Sequence, residues 1–245
     1  MNAPYSAWAS MSDNVFYSQP AFILHQQPYR ESSLIIDVLT RDIGRISLIA
    51  KGVRKTKSKT AGLLRPFVFL SLSFAGKSEL KTLTHVENCD LPHELTGLPL
   101  YCGFYINELV SIFLHKDDPN PEVFLEYQQC LSNLAQDSQL EAALRVFELN
   151  LMDNIGYGMS LNFDSHHEKP VALHKRYSFN KDVGLYEDNS GPFSGTTLLA
   201  MEQRKFDNAK ILSETKLLMR MVIDSHLNGK PLKSRAFINS IVKRI

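Results

Sequence analysis

The stretch Phe67-Val68-Phe69-Leu70-Ser71-Leu72-Ser73-Phe74, followed after Ala75-Gly76-Lys77-Ser78-Glu79 by Leu80-Lys81-Thr82-Leu83-Thr84-His85-Val86, decides the fold class. In its first half Val68, Leu70, Leu72 and Phe74 alternate with Phe67, Phe69, Ser71 and Ser73. In its second half Leu80, Thr82 and Thr84 alternate with Lys81, Leu83 and His85. Successive side chains of a strand point to opposite faces, so a period of two predicts two strands, each with one buried face. Gly76-Lys77-Ser78 reads as the hairpin turn between them.

Upstream, Phe22 to Leu24, Leu34 to Leu39 and Ile46 to Ala50 are further short β-branched or aromatic runs bounded by turn signals. Five short strands in about 70 residues, with one longer basic connection, predict a small closed barrel such as an OB-fold. Residues 1–19 show neither helical nor strand periodicity and read as a flexible tail. After Pro92 the periodicity lengthens to the helical value. Tyr101, Phe104, Tyr105, Ile112 and Phe113 are expected on one helix face, and Phe124, Tyr127, Leu131 and Leu134 on a second helix. Leu140, Leu144, Phe147 and Leu151 fall on a third, which stops near Gly156-Tyr157-Gly158. Arg176 to Phe179 and Val183 to Tyr186 pair as a short hairpin within an irregular insertion at 161–190; helices resume at 196–204 and 208–227, and Pro231 opens a final one. The expected class is α+β: a tail at 1–19, a five-stranded OB-fold barrel at 20–90 and a helical domain at 91–245.

Charge is informative only locally. The 245 residues carry a formal net charge of +1, which exerts no global pull on nucleic acid. Between Arg41 and Arg65, however, Arg41, Arg45, Lys51, Arg54, Lys55, Lys57, Lys59 and Arg65 face the single acid Asp42. The densest part, Lys51 to Lys59, lies in the connection between the third and fourth strands, where small residues let backbone approach phosphates. Lysine and arginine that neutralise phosphates release counterions and give salt-sensitive affinity with little regard for base sequence. Lys81 on the fifth strand joins these as an expected DNA contact; Tyr29 and Phe22 are candidate platforms for unpaired bases, although a strand aromatic also serves as core. The alternative for the basic segment is a loop kept polar for solubility.

Catalytic signatures fail on their own terms. Gly76-Lys77-Ser78 resembles the end of a nucleotide-binding loop, but its upstream glycine position holds Ser71 and a strand rather than a helix follows. His166-His167-Glu168, with Asp164 and His174 nearby, lacks a helix to align metal ligands because Pro170 interrupts, so a surface loop is expected. Cys89, Cys102 and Cys130 form neither a CxxC pair nor an even set, which suits a reducing cytoplasm, and Cys102 reads as a buried inert thiol. No apolar run approaches the ~18 residues of a membrane span, and no export signal is legible. Glu108 beside Asn107 could be a general acid or base if buried, but the pair is expected to be structural, satisfying neighbouring backbone or a domain junction. Arg145, among Leu144, Val146, Phe147 and Leu149, suits a carboxylate with an apolar neighbour.

In the first half Ala21-Phe22-Ile23-Leu24-His25, Pro28-Tyr29-Arg30-Glu31-Ser32-Ser33-Leu34, Gly44-Arg45, Leu48-Ile49-Ala50-Lys51-Gly52-Val53-Arg54 and Leu64-Arg65-Pro66-Phe67 follow one another in order. In the second half Tyr105-Ile106-Asn107-Glu108-Leu109, Leu144-Arg145-Val146-Phe147-Glu148-Leu149, Gly156-Tyr157-Gly158 and Gly229-Lys230-Pro231-Leu232-Lys233-Ser234-Arg235 do the same. On these runs the chain resembles the RecO family. The resemblance implies an OB-fold, a helical second domain, no catalytic centre and no cofactor. It implies binding to single- and double-stranded DNA, annealing of complementary strands and work with RecR, and sometimes RecF. These place RecA on strands coated with single-stranded-DNA-binding protein, whose acidic, hydrophobic C-terminal tail docks on the helical domain; Arg145 is the residue matched to that tail. The expected location is the cytoplasm, at the nucleoid, with no membrane contact. Many relatives carry a four-cysteine zinc motif where residues 161–185 stand; with no cysteine there, no zinc is expected. The rival class is an adaptor that binds protein but no DNA.

Overall fold

Five strands form the first element group: β1 (Val15–Tyr29), β2 (Ser33–Thr40), β3 (Gly44–Ala50), β4 (Leu70–Ala75) and β5 (Leu80–Asn88). They close into a barrel in the order β1-β2-β3-β5-β4, with β4 returning to β1. Only the β3–β5 pairing is parallel. This is the OB-fold expected from the alternation. The computed structural model describes residues 14–56, 58, 60–89, 94–136, 139–227 and 229–242, excluding the side chains of 238–242.

Period two is visible in the core: Ile36 and Val38 from β2, Ile46, Leu48 and Ala50 from β3, and Leu70, Leu72 and Phe74 from β4 all point inward. Phe22 is fully buried, stacked on Phe69 at 5.2 Å and against Phe124 at 5.3 Å, so it is core. The strict alternation read for β5 does not persist. A bulge opposite Ser73 and Phe74 skips Thr84, so Leu83 and Val86 both pack on the core. The expected tail boundary at residue 19 also moves. Val15 and Phe16 already pair with Ala75 and Phe74, the Phe16 and Phe74 rings stacking at 4.9 Å. An irregularity between Phe16 and Gln19, where Ser18 takes φ 49°, breaks the pattern that would have revealed this strand. The remaining tail expectation, for 1–13, lies outside the described residues.

The chain divides into two compact units, one running through Glu94 and taking in Val110–Phe124, the other holding Leu95–Leu109 and everything from Leu125 onward. Gly44, in the β2–β3 turn, has φ +81°, and a Cβ there would lie 2.1 Å from the Asp118 carbonyl oxygen. Only glycine fits. That approach lets the Asp117 N–H donate to the Arg45 carbonyl at 2.9 Å, anchoring the 115–118 segment on β3.

The helices are α1 (Gly97–Phe113), α2 (Pro121–Ala135), α3 (Leu140–Asn154), α4 (Gly195–Glu202), α5 (Ala209–His226) and α6 (Lys233–Val242). The apolar face proposed for α1 divides: Tyr105 and Phe113 are buried, whereas Phe104 and Ile112 are exposed. Neighbouring positions on a helix differ by about 100°, so Phe104 cannot follow Tyr105 inward. Among the described residues no helix is long and apolar enough to cross a membrane.

The insertion forms two small sheets. β6 (Phe163–Asp164) pairs with β7 (Lys169–Pro170), and β8 (Arg176–Asn180) pairs with β9 (Gly184–Glu187) and β10 (Phe193–Ser194), which includes the expected hairpin. No cluster of three or more potential metal ligands occurs among the described residues. The insertion is tied by Asp164, which is fully buried and accepts from the N–H groups of His166 (3.0 Å), His167 (2.9 Å) and Glu187 (2.8 Å), with His167 Nδ1 at 2.9 Å. Burial pushes its carboxyl upward, but these bonds outweigh that and hold it below its ordinary 3.8. Glu187, bridged to Lys169 at 2.6 Å and Lys175 at 2.9 Å, is held down by the two ammonium groups to about 2.

A depressed folded-state pKa contributes stability that is complete above the unfolded value and lost as pH falls through the folded one. Thermal melts are therefore expected to shift little above pH 4.5, the ordinary Glu187 value, and to fall progressively as pH drops toward 2. Asp164→Asn, which gives the pocket an amide in place of an acceptor-only group, should cost about 2–3 kcal/mol in urea denaturation and make the acid loss shallower.

Candidate functional site

Two sites emerge, one in each unit. In the barrel unit the β1–β2 turn and the connection leaving β3 line an open cleft of about 740 Å³, walled by Arg30, Glu31 and Ser32 on one side and Lys51, Gly52 and Lys55 on the other, with Ile49 beneath. The two walls are bonded together. The Arg54 N–H donates to the Ser32 carbonyl at 2.9 Å, and Arg54 Nη1 donates to the Arg30 carbonyl at 3.1 Å. Gly52 takes φ +72°, and the Lys55 N–H closes a turn on its carbonyl at 3.3 Å. Tyr29, half-buried, carries the Arg30 guanidinium over its ring at 5.2 Å. A cleft with three cations, one acid and an adjacent aromatic can receive a phosphate together with a flat ring.

The sequence-derived contacts distribute unevenly. Lys51, Arg54 and Lys55 are exposed around this cleft, and Arg65 is exposed beyond it. Arg41 is exposed but paired with Asp42 at 2.9 Å. Arg45 is half-buried near Asp37; burial lowers its guanidinium pKa against the pull of that carboxylate. Lys81 is buried, its ammonium held by Asp117 at 2.8 Å. Lys57 and Lys59 lie outside the described residues. Arg30 was missed as a cleft residue because nothing in linear order connects the β1–β2 turn to residues 51–55; only barrel closure brings them together.

The helical unit holds a cavity of about 560 Å³ lined by Leu98, Cys102 and Tyr105 of α1, Leu140, Leu144, Arg145 and Glu148 of α3, Lys216, Leu217 and Arg220 of α5, and Arg235 of α6. Arg145 does sit beside apolar surface, but it is buried and pairs with Glu148 at 2.5 Å. Tyr105 donates to the same Glu148 oxygen at 2.6 Å. Burial first, and the Glu148 charge second, push the Tyr105 phenol far above its ordinary range, so it remains a donor. Arg145 Nε and Glu148 Oε2 are buried with no hydrogen-bond partner among the described residues. The cavity offers one unfilled donor, one unfilled acceptor and leucine walls, and Lys216, Arg220 and Arg235 line it as cations already paired, Lys216 with Glu141 of the same wall at 2.5 Å and Arg220 and Arg235 with Asp224 at 3.8 and 2.5 Å, so that a short acidic, apolar peptide would share them with these carboxylates. Lys216 and Arg220, four apart on α5, were legible as one helix face, but only the packed helices point that face at Arg145.

Glu108 has a structural role, at backbone more than a hundred positions away rather than beside it. Its carboxylate accepts from the N–H groups of Lys233 and Ser234, each at 2.9 Å, and from the Ser234 hydroxyl, capping α6. Asn107 Oδ1 accepts from the buried Tyr127 hydroxyl at 2.6 Å. Two widely separated sequence segments, Tyr105 to Leu109 and Gly229 to Arg235, thus meet around a single helix terminus.

The chain thus combines an OB-fold barrel that carries a cationic cleft with a helical unit that carries a cavity of peptide size. Residues 11–92 match the family model described as Recombination protein O N terminal, and residues 96–236 match Recombination protein O C terminal. The chain belongs to the RecO family. It is similar to the DNA repair protein RecO of Methylococcus capsulatus, 41% identical over 90% of this chain and 92% of that one. The DNA repair protein RecO of Coxiella burnetii is 40% identical over 90% and 96% of the respective chains, and that of Paraburkholderia xenovorans 41% over 93% and 78%.

The thiols provide a test of this geometry. Cys89 is exposed, while Cys102 and Cys130 are buried, and burial raises the Cys130 thiol well above its ordinary range. A maleimide is expected to modify Cys89 rapidly in the native protein, Cys102 slowly through the cavity, and Cys130 only at the rate of global unfolding. Peptide mapping of the time course reads the order; early modification of Cys130 would contradict the packing.

Proposed function

We propose that this protein acts in DNA repair as a non-enzymatic recombination mediator. The barrel cleft holds the phosphate backbone of single- and double-stranded DNA, and the helical-unit cavity holds the acidic, hydrophobic tail of single-stranded-DNA-binding protein. Bringing two coated strands together raises their effective concentration and accelerates annealing without any bond being made or broken. RecR, with or without RecF, then completes loading of RecA onto the coated strand, and the location is the cytoplasm, at the nucleoid. Family membership supports the repair role. The observation that carries the DNA contact is the convergence of Arg30, Lys51 and Lys55 on one open cleft. Of the sequence-derived contacts, Lys51, Arg54, Lys55, Lys57, Lys59 and Arg65 form the proposed electrostatic track, with Arg41 and Arg45 as its margin. Lys81, already neutralised by Asp117, contributes to the barrel's stability and little to binding.

Fluorescence anisotropy with labelled single-stranded DNA across a salt series tests this. Changing Lys55, Lys57 and Lys59 to Gln should weaken binding and reduce the magnitude of the log-affinity against log-salt slope by roughly two. Lys81→Gln should lower stability while leaving that slope unchanged. Equal slopes in wild type and the triple variant would remove the loop from the DNA contact, and no binding at low salt would favour the protein adaptor.

The tail site is tested separately. Removing Arg145 alone would strand Glu148, and removing Glu148 would strand the Tyr105 hydroxyl, so all three are replaced: Arg145→Met and Glu148→Met with Tyr105→Phe keep volume and burial, and substitutions of this kind are often neutral in stability. The triple variant is expected to fold normally yet lose roughly tenfold or more in affinity for a peptide copying the tail. Undiminished binding would place the tail elsewhere.

A further inference from the structure

The cavity wall contains one residue from outside α1, α3 and α5. Arg235 lies in the first turn of α6, and among the described side chains α6 is tied by the Glu108 cap at its start, by Arg235 and by the packing of Phe237 on Tyr101 at 5.4 Å, while Lys233, Ala236 and Phe237 are exposed. Arg235 reaches Asp224 of α5 at 2.5 Å and lies over the Tyr105 ring at 5.7 Å. From there a polar chain continues to the cavity floor, because Tyr105 donates to Glu148 and Glu148 receives Arg145. Docked α6 therefore delivers a cation to the cavity and sits against the tyrosine that sets the floor; undocked α6 withdraws both.

We infer that α6 is a latch on this cavity: it must be docked for an acidic peptide to bind tightly, and a bound peptide in turn holds α6 down. This rests on the tail-docking reading above and adds the element that controls it. An anionic occupant meets Arg235 as well as Arg145, and every favourable contact with Arg235 is available only in the docked state. Coupling between two events is reciprocal, so the factor by which docking raises peptide affinity is the factor by which peptide favours docking. Affinity also scales with the fraction of molecules whose latch is closed. Glu108 is the separable handle, since it caps α6 and does not line the cavity. A partner that engages α6 would then regulate release of the tail from a distance.

Hydrogen exchange and peptide binding on the full chain test the latch together, with a synthetic copy of the C-terminal tail of the host's single-stranded-DNA-binding protein as probe. Addition of peptide to the wild type should slow exchange of the α6 amides, and Glu108→Ala should both speed that exchange and weaken the peptide roughly tenfold. Arg235→Ala should weaken the peptide to a similar degree, and the double variant should show little further loss. If the peptide binds the wild type but α6 exchange is unchanged and Glu108→Ala binds equally well, the latch is overturned while the docking site stands. If the wild type fails to bind the peptide, the docking reading falls and the latch falls with it. Should Glu108→Ala unfold, the wild-type exchange experiment decides alone.

Discussion

Closure of the barrel is the constraint on which the basic cleft depends. β1 must pair with β2 along one edge and β4 along the other, and β3 must accept β5 in parallel, before every edge strand has a partner. Once that ring is closed, its interior is filled by Ile36, Val38, Ile46, Leu48, Leu72 and Phe74, and charge can survive only at the rim or in compensated pairs. Lys81 illustrates the second outcome, buried against Asp117; Lys51 and Lys55 illustrate the first. The same closure carries the β1–β2 turn to the β3 exit, where Arg54 stitches the two together through backbone carbonyls. A cationic cleft is thus a by-product of ring geometry combined with a lysine-rich connection.

In the helical unit the organising groups are carboxylates. Asp164 gathers the insertion, Glu108 caps α6, Glu148 joins α1 to α3, and Glu214 accepts from the Ser194 N–H at 2.8 Å and hydroxyl at 2.9 Å with Arg176 nearby at 3.3 Å. Burying such a group is costly unless donors meet it, and three of these four are well supplied. Glu148 is the exception, with one oxygen shared by Arg145 and Tyr105 and the other unpartnered. An incompletely satisfied carboxylate in an apolar cavity marks a place where an incoming ligand has hydrogen bonds to complete, and it is there that α6 contributes Arg235.

The insertion shows how one buried carboxylate can organise a turn. Four donors converge on the single carboxylate of Asp164. His166 and His167, which invite a metal reading in the linear text, serve it through their backbone and one imidazole. The carboxylate supplies several short-range acceptor sites at one point, and these tie a turn to a neighbouring strand.

By itself the sequence determined the barrel and its strand list, the helical second half, the hairpin at 176–186 and the family, because periodicity and turn residues are local properties that survive in linear order. The basic connection and the polar pair Asn107-Glu108 were equally legible, as was Arg145 beside its leucines. Tertiary structure alone decided which cations remain available: Lys81 and Arg45 differ from Lys51 and Lys55 in what barrel closure places beside them, not in sequence context. It also decided the early start of β1 and the shifted parity of β5, since bulges at Phe16/Gln19 and Ser73/Phe74 interrupt the alternation from which strands are read. The link from Glu108 to Ser234 and from Arg235 to Tyr105 spans more than a hundred positions, and hydrogen bonds of that separation exist only once the chain has folded.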